Sequence, residues 1–349
     1  MSYIDLSKHI VTLANLPKCP DPMVSAYFDL AQTFEKLDDQ FTRWVEIAIP
    51  AFEGKTREQF ITASDRIKKW LLNNNDTGRS AAVFSRAGSP DFFLPLTFQV
   101  PLQTYFKADL LPAIFPLVEI KDRFNRFVVV LANRDTARII EMNLGETSLE
   151  LLAERPEAID RHGREWTREH YNSQIRERNE KFVSEQVEIV ERLMSKRGHN
   201  ALILVGEPQH TDRLKNALPT HLSDKVVDHI RTGFTDQRIG AILEDVIESY
   251  LKVEDDESET AVKRLFRSYG THQLGIFGIA ASALALQNDQ VEELIISSSL
   301  RHNEREVLVR VVSQHNVPIE TVRESERLDR QGGVGAILRY STVAKELGI

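Results

Sequence analysis

Cysteine is almost absent: Cys19 stands alone in 349 residues. A single thiol excludes an internal disulfide framework and any zinc site built on several cysteines. Long apolar runs are missing as well, none reaching the ~20 residues that span a bilayer. The opening stretch, Met1 to Ile10, carries Asp5 and Lys8 and lacks the basic flank, apolar core and small-residue cleavage site of a signal peptide. The expectation is a cytoplasmic protein with no membrane partner. Positive charge is in the minority, 44 Lys and Arg against 52 Asp and Glu, for a formal net charge of −8. That balance argues against coating of nucleic acid along the whole chain, DNA included, and leaves room for a local basic surface.

The chain does have the composition of a folded protein, 42% hydrophobic and 28% charged, and the length of two or three domains. It reads as three alternating α/β blocks, 1–122, 123–232 and 233–349. In the first, Met23 to Leu30, Ala81 to Phe84 and Phe92 to Val100 read as strands. Phe60, Ile61, Ile67, Trp70 and Leu71 give Thr56 to Leu72 a helical period. In the second, the β-branched run Phe127 to Ala132 predicts a strand buried on both faces, paired antiparallel with Thr136 to Met142. A long helix over Glu169 to Met194 and a buried strand at Ala201 to Val205 follow. In the third, Gln237 to Leu251 is predicted helical, with the acidic run Glu254 to Glu259 breaking or exposing its continuation. Thr260 to Tyr269 and then His272 to Leu286 also read as helices. A strand at Val291 to Ser297, a helix at Glu304 to His315 and a short strand at Ile319 to Val322 come next, with a terminal strand at Ala336 to Tyr340. This order predicts a small α/β/α sandwich on a partly parallel sheet.

The segment Asp160 to Phe182 is the most informative. Arg161, Arg164, Arg168, Arg176, Arg178 and Lys181 alternate there with Glu165, Glu169, Glu177 and Glu180, and His162 and His170 lie among them. At helical spacing such pairs make a solvated, salt-bridged surface worth ~0.3–0.5 kcal/mol each. The same residues also suit a loop facing phosphates, with Trp166 placed to stack on a base. Gly332 to Gly335 lacks the Lys-Ser/Thr of a nucleotide cradle and runs into a strand, so it reads as a tight turn. His199, His210, His221 and His229 do not fall at metal-ligand spacing and read as surface or satisfied structural residues.

Several segments taken in order resemble the archaeo-eukaryotic class I release factor and Pelota family, in its bacterial branch. The closing Gly332 to Tyr340, "GGVGAILRY", resembles that family's terminal strand, and Asn288 to Ser297 a segment of its third domain. Phe127 to Met142 resembles the opening hairpin of its central domain, and Ala201 to Leu218 the strand, loop and helix that follow. The resemblance implies three α/β domains with mixed sheets, the middle one ribonuclease-H-like and the last like kink-turn-binding ribosomal proteins. It implies the ribosome and transfer RNA as partners, leaves open delivery by a translational GTPase, and calls for no cofactor or metal.

Catalytic members carry His-Gly-Arg-Gly-Gly-Gln in the central loop. Here His162, Gly163 and Arg164 match, and Glu165, Trp166 and Thr167 replace the rest. The two glycines allow close backbone approach to the ester, and the glutamine orients water within a fraction of an ångström. Trp166 blocks that approach. The expectation is therefore a ribosome-associated factor of termination, rescue or quality control that lacks this ester hydrolysis. Arg161, Gly163, Arg164, Trp166, Thr167, Arg168, Arg176 and Arg178 would then face RNA. The alternatives are a transfer-RNA nuclease, for which Glu165, His162 and His170 are the available acid–base groups, and a non-ribosomal interaction protein that keeps the fold.

Overall fold

The computed structural model describes residues 2–74, 78–154, 168–233, 238–272 and 274–340, without the side chains of 168–175 and 271–272. The fold is mixed α/β and carries three sheets. Helix α1 (Tyr3–Ala14) starts at Ser2, whose hydroxyl accepts from the Asp5 N–H at 3.2 Å. Strand β1 (Met23–Asp29) leads to α2 (Phe34–Ala48) and α3 (Gly54–Asn73), and then to β2 (Ser80–Arg86), β3 (Phe92–Phe98) and β4 (Tyr105–Asp109). These strands form an antiparallel sheet in the order β3-β2-β1-β4. Val24, Ala26 and Phe28 turn one face of β1 onto Phe41 of α2 and Phe60 and Ile67 of α3. On the other face Tyr27 donates to the Ala113 carbonyl at 2.5 Å and Ser25 accepts from its N–H at 3.0 Å.

Helix α4 (Phe115–Arg123) precedes the central sheet of β5 (Phe127–Ala132), β6 (Thr136–Asn143), β7 (Glu146–Glu154), β8 (Ala201–Gly206) and β9 (Val226–Arg231). Its order is β7-β6-β5-β8-β9, with β5, β8 and β9 parallel and β6 antiparallel to both neighbours. Helices α5 (Arg168–Arg197), α6 (Pro208–Ala217) and α7 (Thr220–Ser223) connect these strands. Val128 and Val130 of β5 pack toward Phe182, Val190 and Met194 of α5, while Phe127, Val129 and Leu131 pack toward Ile242, Val246 and Tyr250. Both faces of β5 are covered, which is the reason its sequence is unbroken in apolar residues.

Helix α8 (Ile239–Arg267) is continuous, so the acidic run is an exposed continuation and not a break. Its acids lie on a solvent-facing side, and Glu248–Lys252 and Glu259–Lys263 pair at 2.9 Å one turn apart. Glutamate is a good helix former, and exposed pairs of this kind support a helix without adding much stability. The expected helix from His272 to Leu286 is corrected. Strand β10 (Gly275–Phe277) comes first, and α9 (Ile279–Gln287) starts only after Gly278 at φ +90°. A Cβ on Gly275 would stand 2.5 Å from the Tyr269 nitrogen, so glycine there allows the strand to lie against the preceding turn. Strand β11 (Val291–Ser297), α10 (His302–His315), β12 (Ile319–Val322), α11 (Glu326–Asp329) and β13 (Val334–Leu338) complete a sheet ordered β10-β13-β11-β12, in which β11 and β12 are parallel.

The chain divides into two compact units, Asn125–Glu254 and the remainder, Met1–Phe124 with Asp255–Ile349. The expected boundary at 232/233 thus falls inside the central unit, whose core includes Val246 and Tyr250. Helix α10 joins the first and third sheets into one unit by capping helices that come from the N-terminal block. Glu306 accepts the N–H groups of Ile114 and Phe115 at 2.8 and 3.0 Å at the start of α4. One turn later Arg310 donates to the last carbonyls of α1, Leu13 at 3.0 Å and Ala14 at 2.8 Å. Helix ends leave such groups unpaired, and charged partners there carry both the hydrogen bond and the dipole interaction.

His302, also on α10, makes this seam acid-sensitive. Arg305 donates to its Nδ1 at 2.9 Å, so the ring hydrogen sits on Nε2, which meets the Tyr105 hydroxyl. Burial first, then the charges of Arg305 and Lys107, lower its pKa from 6.5 to about 4. Between those two values the unfolded chain takes up a proton that the folded chain refuses, so stability falls as pH drops. The full linkage of about 3 kcal/mol is reduced by solvent on the open side of the ring to about 1 kcal/mol. His302→Gln should flatten the fall in urea midpoint between pH 6.5 and 4 relative to wild type; an unchanged slope would assign the acid sensitivity to other groups.

Candidate functional site

The central unit carries the segment singled out in the sequence. Strand β7 leads toward it and α5 leads away. The expected residues Arg161, His162, Gly163, Arg164, Glu165, Trp166 and Thr167 lie outside the described residues, as do the side chains of Arg168 and His170. On the described part of α5, Arg176 is exposed and Arg178 half-buried, so two of the expected arginines are on the solvent side of the helix. The apolar positions of α5 fall on the opposite side. Phe182, Val190, Leu193 and Met194 are buried in the core, with Val183 and Val187 at its margin.

The carboxyl end of α5 is fixed by a polar network that no local motif announces. Glu141 of β6 is fully buried. Its carboxylate accepts from the Ser148 hydroxyl of β7 and from His199 Nε2, each at 2.8 Å, and from the Arg197 guanidinium in the last turn of α5. Gly198 supports the turn at φ +69°, and the N–H groups of Gly198 and His199 both close onto the Met194 carbonyl. His199 therefore holds its hydrogen on Nε2, while its buried Nδ1 has no partner. Burial lowers its pKa, against the opposing pull of the Glu141 carboxylate. Both groups are sealed from solvent, so the pair reaches no substrate and its role is to hold the helix.

The remaining histidines are dispersed. His229 on β9 meets the Thr211 hydroxyl and lies 3.6 Å from Asp212, and His221 is surface-exposed beside Glu191. Burial lowers the pKa of His229 and of His210. Among the described residues no group of three or more His, Cys, Asp or Glu is placed to hold a metal ion, and no helix is long and apolar enough to cross a membrane.

Residues 112–250, which contain the central sheet and both flanks of the 155–167 segment, match bacterial archaeo-eukaryotic release factor family 10. This central region is similar to release factors of the bacterial archaeo-eukaryotic type. Solved structures similar to the chain include the archaeal translation termination factor aRF1, at 16% identity over 97% of this chain and 99% of that one, with a TM-score of 0.32. Dom34 of S. cerevisiae, a translation termination-like factor involved in RNA quality control pathways and interacting with Hbs1, is 14% identical over 75% of this chain and 79% of its own, with a TM-score of 0.47. A chain from a model of ribosome-bound archaeal Pelota and ABCE1 is 13% identical over 97% of this chain and 94% of that one, with a TM-score of 0.46. The chain matches none of the curated proteins.

In the release-factor-like central unit, the sequence reading identified the charged helix and missed its anchor. Glu141 and His199 are 58 residues apart. The one local signal was a lone acid between the apolar Ile139-Ile140 and Met142 of the strand. A buried carboxylate at such a position requires donors from elsewhere in the fold.

Proposed function

We propose that the chain is a ribosome-associated factor of translation termination, rescue or quality control that binds RNA without ester hydrolysis by the loop. The match of residues 112–250 to the release factor family carries this reading. The retained His162-Gly163-Arg164 and the replacement of the following residues by Glu165-Trp166-Thr167 give it its finer form. In this reading Arg161, Arg164, Arg168, Arg176 and Arg178 neutralise RNA phosphates and Trp166 stacks. In this reading the central unit, Asn125–Glu254, is ribonuclease-H-like and the region of the last sheet is like kink-turn-binding ribosomal proteins. The partners are the ribosome and transfer RNA, with a translational GTPase as carrier, and the place of action is the cytoplasm.

Co-sedimentation with ribosomes at low and high salt tests it. Pelleting should fall steeply with salt, because each phosphate contact releases counterions. Arg164→Glu should reduce pelleting at least about tenfold, from one lost charge-assisted contact and one added repulsion, with an unchanged circular dichroism spectrum. Pelleting equal to wild type would remove the proposal. Peptidyl-transfer RNA incubated with the bound factor should stay intact; a freed peptide or a shortened acceptor end would identify an enzyme instead.

A further inference from the structure

We infer that the crevice at the carboxyl ends of β5 and β8 binds a phosphodiester group of RNA. It is a shallow opening on the surface with little enclosed space, so a ligand would lie across its mouth. Asn133 and Arg134 enter it from the turn after β5, Asn179 and Gln186 from α5, and His210 and Arg213 from α6, over a floor of Phe182 and Val183. The carboxyl ends of parallel strands are where open α/β sheets leave room for ligands.

The donors in this crevice are unspent. Asn133 Oδ1 is turned inward and accepts from the Asp135 N–H at 2.9 Å and from the Thr136 N–H at 2.8 Å, which leaves its amide N–H groups for the opening. Gln186 is 2% exposed, lines the crevice and makes no hydrogen bond among the described residues. Its amide group therefore opens on the crevice and is available to a ligand oxygen. Arg134 and Arg213 are exposed and form no ion pair among the described residues. Burial first, and then the charges of Arg213 and Arg134, lower the pKa of His210, although the carboxylates of Glu207 and Asp135 act the other way.

Those two carboxylates select among phosphates. A terminal phosphate carries about −1.5 to −2 charges at pH 7 and would be repelled by them. A backbone phosphodiester carries a single charge and meets the same donors with less opposition. Arg176 and Arg178 lie within about one turn of Asn179 on α5, so a strand seated in the crevice can continue along the helix. Naming RNA as the source rests on the function proposed above, whereas the donor set stands by itself.

The test is fluorescence anisotropy of the full chain with a labelled single-stranded RNA of about a dozen nucleotides. Arg134→Ala/Arg213→Ala should weaken binding by about tenfold or more per arginine, and the slope of log affinity against log salt should fall by about 1.4. Gln186→Met, close in shape, should weaken binding without lowering the thermal midpoint. Neither inorganic phosphate nor AMP at matched phosphate concentration should displace the RNA. Wild-type affinity and slope in the double variant, or no RNA binding by the wild-type chain, would overturn the site; displacement by AMP would overturn the phosphodiester assignment. The two proposals separate cleanly. Loss of ribosome pelleting in Arg164→Glu with RNA binding intact in the crevice variants would end this one alone. Crevice-dependent RNA binding by a chain that never pellets with ribosomes would end the other.

Discussion

Glu141→Leu should lower the unfolding free energy by about 3 kcal/mol. The substitution fills the volume of the glutamate methylenes but takes the acceptor from three donors. His199 is fully enclosed and, with Nδ1 already unpartnered, would then have no hydrogen bond on either ring nitrogen. Ser148 is exposed and keeps the Glu141 carbonyl at 3.3 Å, and Arg197, 45% exposed, can turn to water, so both lose little. Orphaning a buried donor costs about 1–3 kcal/mol, and the enclosed His199, left from a broken buried pair, brings the loss to the upper end of that range. The control lies in the sign of a second change. Replacing both partners of a buried polar pair by apolar groups is often close to neutral, so Glu141→Leu/His199→Leu should recover part of the loss. Urea midpoints of wild type, single and double variants decide it. Hydrogen exchange at Gly198 and His199, whose N–H groups close the end of α5 on Met194, should accelerate in the single variant. A single variant as stable as wild type would mean that the desolvation of Glu141 already cancels its three contacts.

The same residues show what the sequence made legible. The run Phe127 to Ala132 was readable because both of its faces are buried, and burial on two faces removes polar residues from a strand. Strand β7 was not readable. Its exposed positions are Thr147, Ser148, Glu150, Leu152 and Glu154, and an edge strand with one face in water carries little apolar alternation. Of the two outcomes the acidic stretch of α8 allowed, a break or an exposed continuation, the structure has the second, because glutamates at helical spacing with lysine partners are compatible with a helix. Glu306 and Arg310 pass as ordinary surface charges in "NEREVLVRVV", yet they cap helices nearly two hundred or more residues away in sequence. No local pattern encodes such contacts. The crevice has the same character. Asn133, Gln186 and His210 come from a turn and two helices, and only the parallel pairing of β5 with β8 gathers them. The segment from Arg161 to Thr167 is the reverse case, since its reading rests on residue types and resemblance and it lies outside the described residues.

Gly206→Ala should be more damaging than any change of surface charge, lowering the thermal midpoint by about 10 °C. Gly206 ends β8 at φ +148°, a conformation that side chains rarely adopt. A Cβ there would lie 2.0 Å from the Ala132 carbonyl oxygen and 3.1 Å from its carbon. Neither is the movable tip of a side chain. Ala132 and Gly206 are register partners at the end of the parallel β5–β8 pair, so relieving the clash requires the strands to part where the chain turns into α6. Strain of this kind costs about 1–3 kcal/mol for the backbone angle alone, and displacing a backbone carbonyl adds to it. The effect should also reach the crevice. Parting the strand ends moves Asn133 and Arg134 away from His210 and Arg213, so RNA affinity should fall in a folded Gly206→Ala protein at temperatures well below its midpoint. Gly198→Ala is the internal comparison. It too has positive φ, at +69°, but a Cβ there meets nothing within 4 Å, so it should cost about 1 kcal/mol and leave RNA affinity unchanged. Equal effects at the two glycines would show that backbone angle, and not the packing of β5 against β8, sets the requirement for glycine at 206.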